Sequence, residues 1–202
     1  MPVDKSACGA EARSGSQCEA LSSAAQAVLS QCEALVRSLP QHAYTAESTT
    51  MKGGTVGKHL RHTLDHFVAA MSPLDARGPG GSPVIDYDHR ERNVPMEADR
   101  ALALEAISSL RVRLSVLSPD AMDDAVVVRV MVNGDGVEAR LRTSIGRELA
   151  FATHHAVHHQ AMMKAIAQEF GIHTDDAFGK APSTVNFESN RAARAQGNQP
   201  RS

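Results

Sequence analysis

Nothing in this sequence is apolar for long enough to cross a membrane as a helix, because no run approaches the ~20 residues such a span needs. The opening residues, MPVDKSACGAEARSGSQ, lack the apolar centre of a secretory signal. Neither sign of charge is in excess. The 21 Lys and Arg against 23 Asp and Glu leave a net charge of −2, which gives no reason to expect nucleic acid or an anionic membrane as the main partner. Cysteine is scarce, with Cys8, Cys18 and Cys32 all near the start. If Cys18 and Cys32 share one helix, they lie about 21 Å apart at ~1.5 Å per residue. That is far beyond the ~7 Å Cα separation a disulfide tolerates. Reduced thiols and a cytoplasmic location are therefore expected. Also missing are a P-loop, a dinucleotide fingerprint, a nucleophile elbow and any internal repeat.

What remains is a chain of 202 residues, 42% hydrophobic and 22% charged, suited to one globular domain with a real core. Residues 1–16 read as a flexible tail, residues 17–180 as the domain, and residues 181–202 as irregular or disordered. Apolar positions at helical spacing run from Leu21 to Val36, and Pro40 stops them. Thr55 is placed to cap a second helix that ends before Pro73. A long connection, residues 72–93, carries GPGGSP and DYDHRER. A third helix is expected from Pro95 to Leu117. VVVRVMV and VEARLR around Asn133-Gly134-Asp135-Gly136 then predict a β-hairpin over Val126–Arg142. A fourth helix spans Ser144 to Phe170, with Gly171 at a left-handed C-cap. Four long helices and one hairpin predict an all-α fold, an antiparallel four-helix bundle with the hairpin inserted between helices 3 and 4.

The chemistry-bearing residues are histidines. Thr153-His154-His155-Ala156-Val157-His158-His159-Gln160 puts four of them into eight residues. The apolar stripe of this helix, Ile145, Leu149, Ala152, Ala156, Met163, Ala167 and Phe170, contains His159 and has His155 on its flank. An i,i+4 pair can therefore aim two rings into the core, as a metal pair requires. His154 and His158 point away, toward solvent or a supporting position. The second helix holds His59, His62 and His66 beside the stripe Val56, Leu60, Leu64, Phe67 and Met71. By angle, His59 and His66 flank that stripe while His62 lies nearly opposite. Periodicity alone thus favours His59 or His66 as the third ligand.

TVGKHLRHTLDHF followed late in the chain by HHAVHHQA resembles the DinB-like superfamily of four-helix metalloproteins, which is distinct from the lesion-bypass polymerase of that name. HLRHT also looks like the N-terminal bundle of ergothioneine-pathway sulfoxide synthases. The resemblance covers roughly residues 17–171. It implies a histidine seven residues after the Thr that opens helix 2, hence His62, joined by His155 and His159 around one divalent ion. His66 and then His59 stand behind His62, and His158 has a supporting place. Zn²⁺ is the first expectation, with Ni²⁺, Fe²⁺ or Mn²⁺ as alternatives. The implied activity is metal-dependent thiol transfer or hydrolysis on a small molecule, a low-molecular-weight thiol among the candidates. The competing reading is a non-catalytic module that the histidines brace. A homodimer is left open. Tyr87, Arg90 and Arg92 are weaker candidates for holding an anionic substrate. Asp65 is a candidate to orient an imidazole, whereas Glu148 and Glu169 read as ordinary surface acids.

Overall fold

The computed structural model describes residues 5–75, 82–89, 91 and 94–197, with side chains from 15 to 194. Its long helices are α1 (Lys5–Ser38), α3 (Val56–Met71), α4 (Arg100–Ser115) and α5 (Ile145–Glu169), with a short α2 (Gln41–Thr45) after α1. A last helix, α6 (Pro182–Gly197), follows, and three strands complete the fold: β1 (Val84–Asp86), β2 (Ala125–Met131) and β3 (Glu138–Ser144). Helix α1 begins inside the segment read as a tail, and Pro182–Gly197 is helical where irregular chain was expected.

Local signals set the helix ends. The Thr55 hydroxyl accepts from Lys58 N at 3.0 Å, and Ser144 does the same for Arg147 N at 3.3 Å. Each satisfies one of the donors a helix start leaves without an intrahelical partner. At the far end of α5, Gly171 sits at φ 72°. Its N–H donates to Gln168 O at 3.0 Å and Ile172 N–H donates to Ala167 O at 3.0 Å, the paired bonds of a Schellman cap. The third expected helix divides. Pro95–Glu97 forms a single 3-10 turn, and α4 starts afresh behind Asp99, whose carboxylate accepts from Ala101 N at 2.8 Å.

The main core is shared by α1, α3, α4 and α5, with Leu29, Leu60, Leu64, Phe67, Ile107, Leu149, Ala156 and Met163 fully buried. An all-α bundle carrying only a hairpin is not what forms. The hairpin β2–β3 is present, with Val128 opposite Leu141, but β1, from the long connection before α4, joins it to make a three-stranded mixed sheet in the order β1-β2-β3. Strand β1 pairs with β2 in parallel, Ile85 opposite Val128. Parallel neighbours need a crossover of at least a dozen residues, and α4 supplies it. One face of the sheet builds a second small core from Ile85, Tyr87, Val126, Val128 and Ile145, with Ala69 and Phe151 packed against it. Asp86 ties β1 to its neighbour. Burial raises its pKa, but a bond from Arg129 and backbone N–H bonds from His89 and Asp88 hold the carboxyl well below the usual range.

The Pro95–Glu97 turn is clamped onto the start of α3. Tyr44 Oη donates to Met96 O at 2.7 Å. The buried Arg61 donates from Nε to Glu97 Oε1 at 2.9 Å and from Nη1 to Asp65 Oδ2 at 2.5 Å. Asp65, a candidate imidazole-orienting group, is thus engaged by Arg61. Among the described residues no helix is long and apolar enough to cross a membrane. Cys18 and Cys32 are free and buried. Burial pushes the Cys32 thiol up to about 12 against a lowering bond from Gln160. The Cys8 side chain lies outside the described residues.

Gly57 shows how tight the clamp is. A Cβ there would sit 2.0 Å from Glu97 O and 2.9 Å from the Tyr44 ring. A Gly→Ala change at a compatible position usually stabilises by ~0.4–1 kcal/mol. Gly57→Ala is expected to do the reverse, costing about 1–3 kcal/mol as overpacking does. Gly134→Ala, with nothing within 4 Å of the added carbon, serves as the control. Urea unfolding of the two variants against the parent checks the sign.

Candidate metal centre

The face-to-face packing of α3 on α5 carries the histidines together. His155 Nε2 lies 3.0 Å from His62 Nε2 and 3.1 Å from His159 Nε2. One ring nitrogen from each of the three falls within 4.8 Å of the others. Three imidazole nitrogens on a tetrahedral ion at ~2.0–2.1 Å would stand roughly 3.3 Å apart, so the donor set fits a divalent ion with little adjustment. The rings cross at steep angles, His62 to His159 at 78° and His155 to His159 at 70°. Nitrogen lone pairs thereby converge where stacked faces would not let them. His62 and His155 are half-buried and His159 is buried.

Electrostatics favours the neutral form that a ligand needs. The His159 pKa is pulled down to about 3, first by burial and then by the neighbouring imidazoles of His155, His59, His158 and His66. Burial also lowers His59, helped by His158. Neutral imidazole is the metal-binding form.

The remaining histidines separate by position. His59 Nδ1 stands 3.0 Å from His159 Nδ1, on the side of that ring away from His155. His66 is buried and donates from Nδ1 to His62 O at 2.9 Å, since a carbonyl can only accept. Its ring lies 4.1 Å from that of His155 and stacks on Tyr87 at 4.9 Å. His154 and His158 are exposed, as their helical angle implied. His158 is not idle, with its ring 5.3 Å from that of His159.

An open cleft of about 500 Å³ leads to the histidines, lined by Met51, Lys52, Gly53, Gly54, Lys58, His59, His62, His159 and Met162. Its walls come from the MKGG loop, α3 and α5, and no described residue of the DYDHRER segment lines it. Tyr87 is not among the lining residues. It stands behind His66, and its hydroxyl donates to Glu148 Oε2 at 2.9 Å. Arg90 and Arg92 lie outside the described residues. Among the described residues the cations on the cleft are Lys52 and Lys58, the latter donating to Gly53 O at 2.8 Å.

Two acids differ from their sequence reading. Glu148 is fully buried, accepting from Tyr87, from Thr143 Oγ1 at 2.7 Å and from Arg147 Nη1 at 2.7 Å. The bundle expectation left that side of α5 in water, whereas the sheet covers it. Glu169 is exposed, yet it accepts from Ser48 at 2.7 Å and Thr49 N at 2.8 Å. Those bonds hold its carboxyl down to about 2 and anchor the loop that leads into the MKGG wall. A polar residue next to a core leucine, Glu148 before Leu149, was the one available signal for the first case.

No known-family profile matches the chain, and no solved structure matches it. Part of the sequence is similar to FK506-binding protein 5 of Rhizopus delemar, 37% identical over 103 residues, half of this chain. The chain spans 27% of that protein's length, so the likeness concerns a segment of it. It lends nothing to a plain helical bundle.

The Glu148 network is expected to matter for stability. Glu148→Ala removes the acceptor of the Tyr87 and Thr143 hydroxyl bonds while Arg147 stays largely in solvent, and should cost roughly 1–3 kcal/mol for each bond lost. Tyr87→Phe removes one bond to a charged acceptor and should cost roughly 1.5–3 kcal/mol. A double-mutant cycle by urea denaturation checks both, with a coupling well above zero expected because the two groups touch.

Proposed function

We propose that this protein binds one divalent metal ion through His62, His155 and His159 and acts on a small molecule admitted by the neighbouring cleft. The observation that carries this reading is the convergence of three imidazole nitrogens, one from α3 and two from α5, at ligand spacing. Zn²⁺ suits three neutral nitrogens with a position left open. Three neutral ligands leave the ion its full charge, which depresses the pKa of a coordinated water or thiol.

The chain's own residues do the rest. His62, His155 and His159 would hold the ion, and the cleft beside His62 and His159 would admit the substrate. Lys52 and Lys58 place positive charge on the cleft wall, which favours a substrate with a carboxylate or another anionic group. Met51 and Met162 provide apolar, adaptable surface beside it. Thiol transfer to an electrophile and hydrolysis of an amide or ester both fit such a site. The likeness of TVGKHLRHT and HHAVHHQA to DinB-like proteins supports the first of these.

Untagged protein is expected to carry about one metal equivalent per chain by elemental analysis. His62→Ala, His155→Ala or His159→Ala should each cut affinity by ~10²-fold or more, while His154→Ala leaves it unchanged; equal losses from His154→Ala would sink the assignment. Because protons compete for the ligand nitrogens, affinity should fall as pH drops below ~6.5 and level off above it. His159, already neutral down to about 3, adds no competition in that range.

For activity, Zn²⁺-loaded protein is incubated with a low-molecular-weight thiol plus a model electrophile, and in parallel with simple amides and esters. Turnover is expected in one set, lost in His159→Ala and weakened about tenfold in the Lys52→Ala, Lys58→Ala double variant for anionic substrates only. A loaded protein that binds no thiol, hydrolyses nothing and merely melts at a higher temperature would instead be a metal-braced module.

A further inference from the structure

Resting on the metal reading above, we infer that His59 is not a ligand but the positioning residue of the centre, accepting a hydrogen bond from the ligand His159 and so fixing which of its nitrogens is free for metal. His159 meets an imidazole at each end, with Nε2 3.1 Å from His155 Nε2 and Nδ1 3.0 Å from His59 Nδ1. Only Nε2 faces the cluster that includes His62. An imidazole that gives its Nε2 lone pair to a metal, while neutral, carries its proton on Nδ1. His159 must then donate across the 3.0 Å contact, and His59 Nδ1 must accept.

That assignment propagates one step further. His59 with an accepting Nδ1 carries its own proton on Nε2, which lies near Gly54, where a Cβ would come within 3.1 Å of it. Gly54 and His59 both line the cleft. The contact therefore orders two rings from one end of the centre, whereas without metal either ring can donate. Partners on the far nitrogen of a ligand histidine commonly change affinity by ~10–100-fold, and in this protein an imidazole occupies the place a carboxylate or carbonyl usually takes.

The geometry excludes His59 from the ligand set as it stands. Its Nδ1 is directed at the Nδ1 side of His159, opposite the nitrogen that meets His155. His66 directs its Nδ1 elsewhere, to His62 O at 2.9 Å.

The test uses full-length protein and Zn²⁺ with a chromophoric chelator competing for the metal. His59→Ala is expected to weaken Zn²⁺ binding ~10–100-fold, and His59→Asn, whose amide oxygen offers an acceptor near the Nδ1 position, to restore it to within ~3-fold. X-ray absorption should count three imidazoles in the parent and in both variants. In ¹⁵N-labelled loaded protein, the His159 ring should show a protonated Nδ1, its proton slow to exchange in the parent and in His59→Asn and fast in His59→Ala. Equal affinity in parent and His59→Ala overturns the inference while leaving the metal reading intact. So does a fourth imidazole in the parent that His59→Ala removes, or a failure of His59→Asn to recover in a variant whose melting matches the parent. A parent that takes up no Zn²⁺ overturns the metal reading itself, and the inference with it.

Discussion

The packing of α3 against α5 is the interaction on which the rest depends. These helices form the most extensive helix pair of the fold, and their apolar stripes are among its most deeply buried residues. Leu60, Leu64 and Phe67 on one, with Leu149, Ala152, Ala156 and Met163 on the other, fix the helices in rotation about their own axes. Hydrophobic burial has no direction of its own, but a stripe does. Once the stripes are buried, His62, His155 and His159 meet as a consequence. Keeping neutral imidazoles together in a half-buried place costs little, whereas the same crowding of charged ones would be strongly unfavourable. The depressed His159 pKa reflects that balance.

Helix α5 has to satisfy a second partner. Its His159 side faces the cleft and helices, while Ile145, Glu148 and Phe151 face the sheet. The line from Thr143 through Glu148 to Tyr87, and from the Tyr87 ring to His66 and His155, runs from the sheet to the histidine cluster without a break in contact. Packed chains of this kind position side chains to within fractions of an ångström. The sheet thus backs the site, and the loop pinned by Glu169 forms its front.

The Pro95–Glu97 turn plays a comparable part at the start of α3. Tyr44, Arg61 and the missing side chain of Gly57 hold it there. This fixes the first turns of the helix that carries His59 and His62. Backbone approach of that kind is a reason for glycine that has nothing to do with turn geometry.

The sequence by itself determined whatever depends on near neighbours. Thr55, Ser144 and Gly171 set helix ends through bonds spanning a few residues, Asn133 to Gly136 set the hairpin, and the in-facing His155 and His159 followed from helical spacing. Only the tertiary structure decided the rest. Val84–Asp86 is too short to show a strand period, and its parallel pairing with β2 is made across the whole of α4, so residues 72–93 read as loop and the fold as a bundle. Glu148 read as a surface acid because one stripe defines one buried face, and the sheet buries another. His62 lies nearly opposite its own helix's stripe, so angle alone could not choose it over His59 and His66. A cleft-side residue needs to be near its partners, not in the middle of the core, and that proximity exists only after α3 and α5 have met.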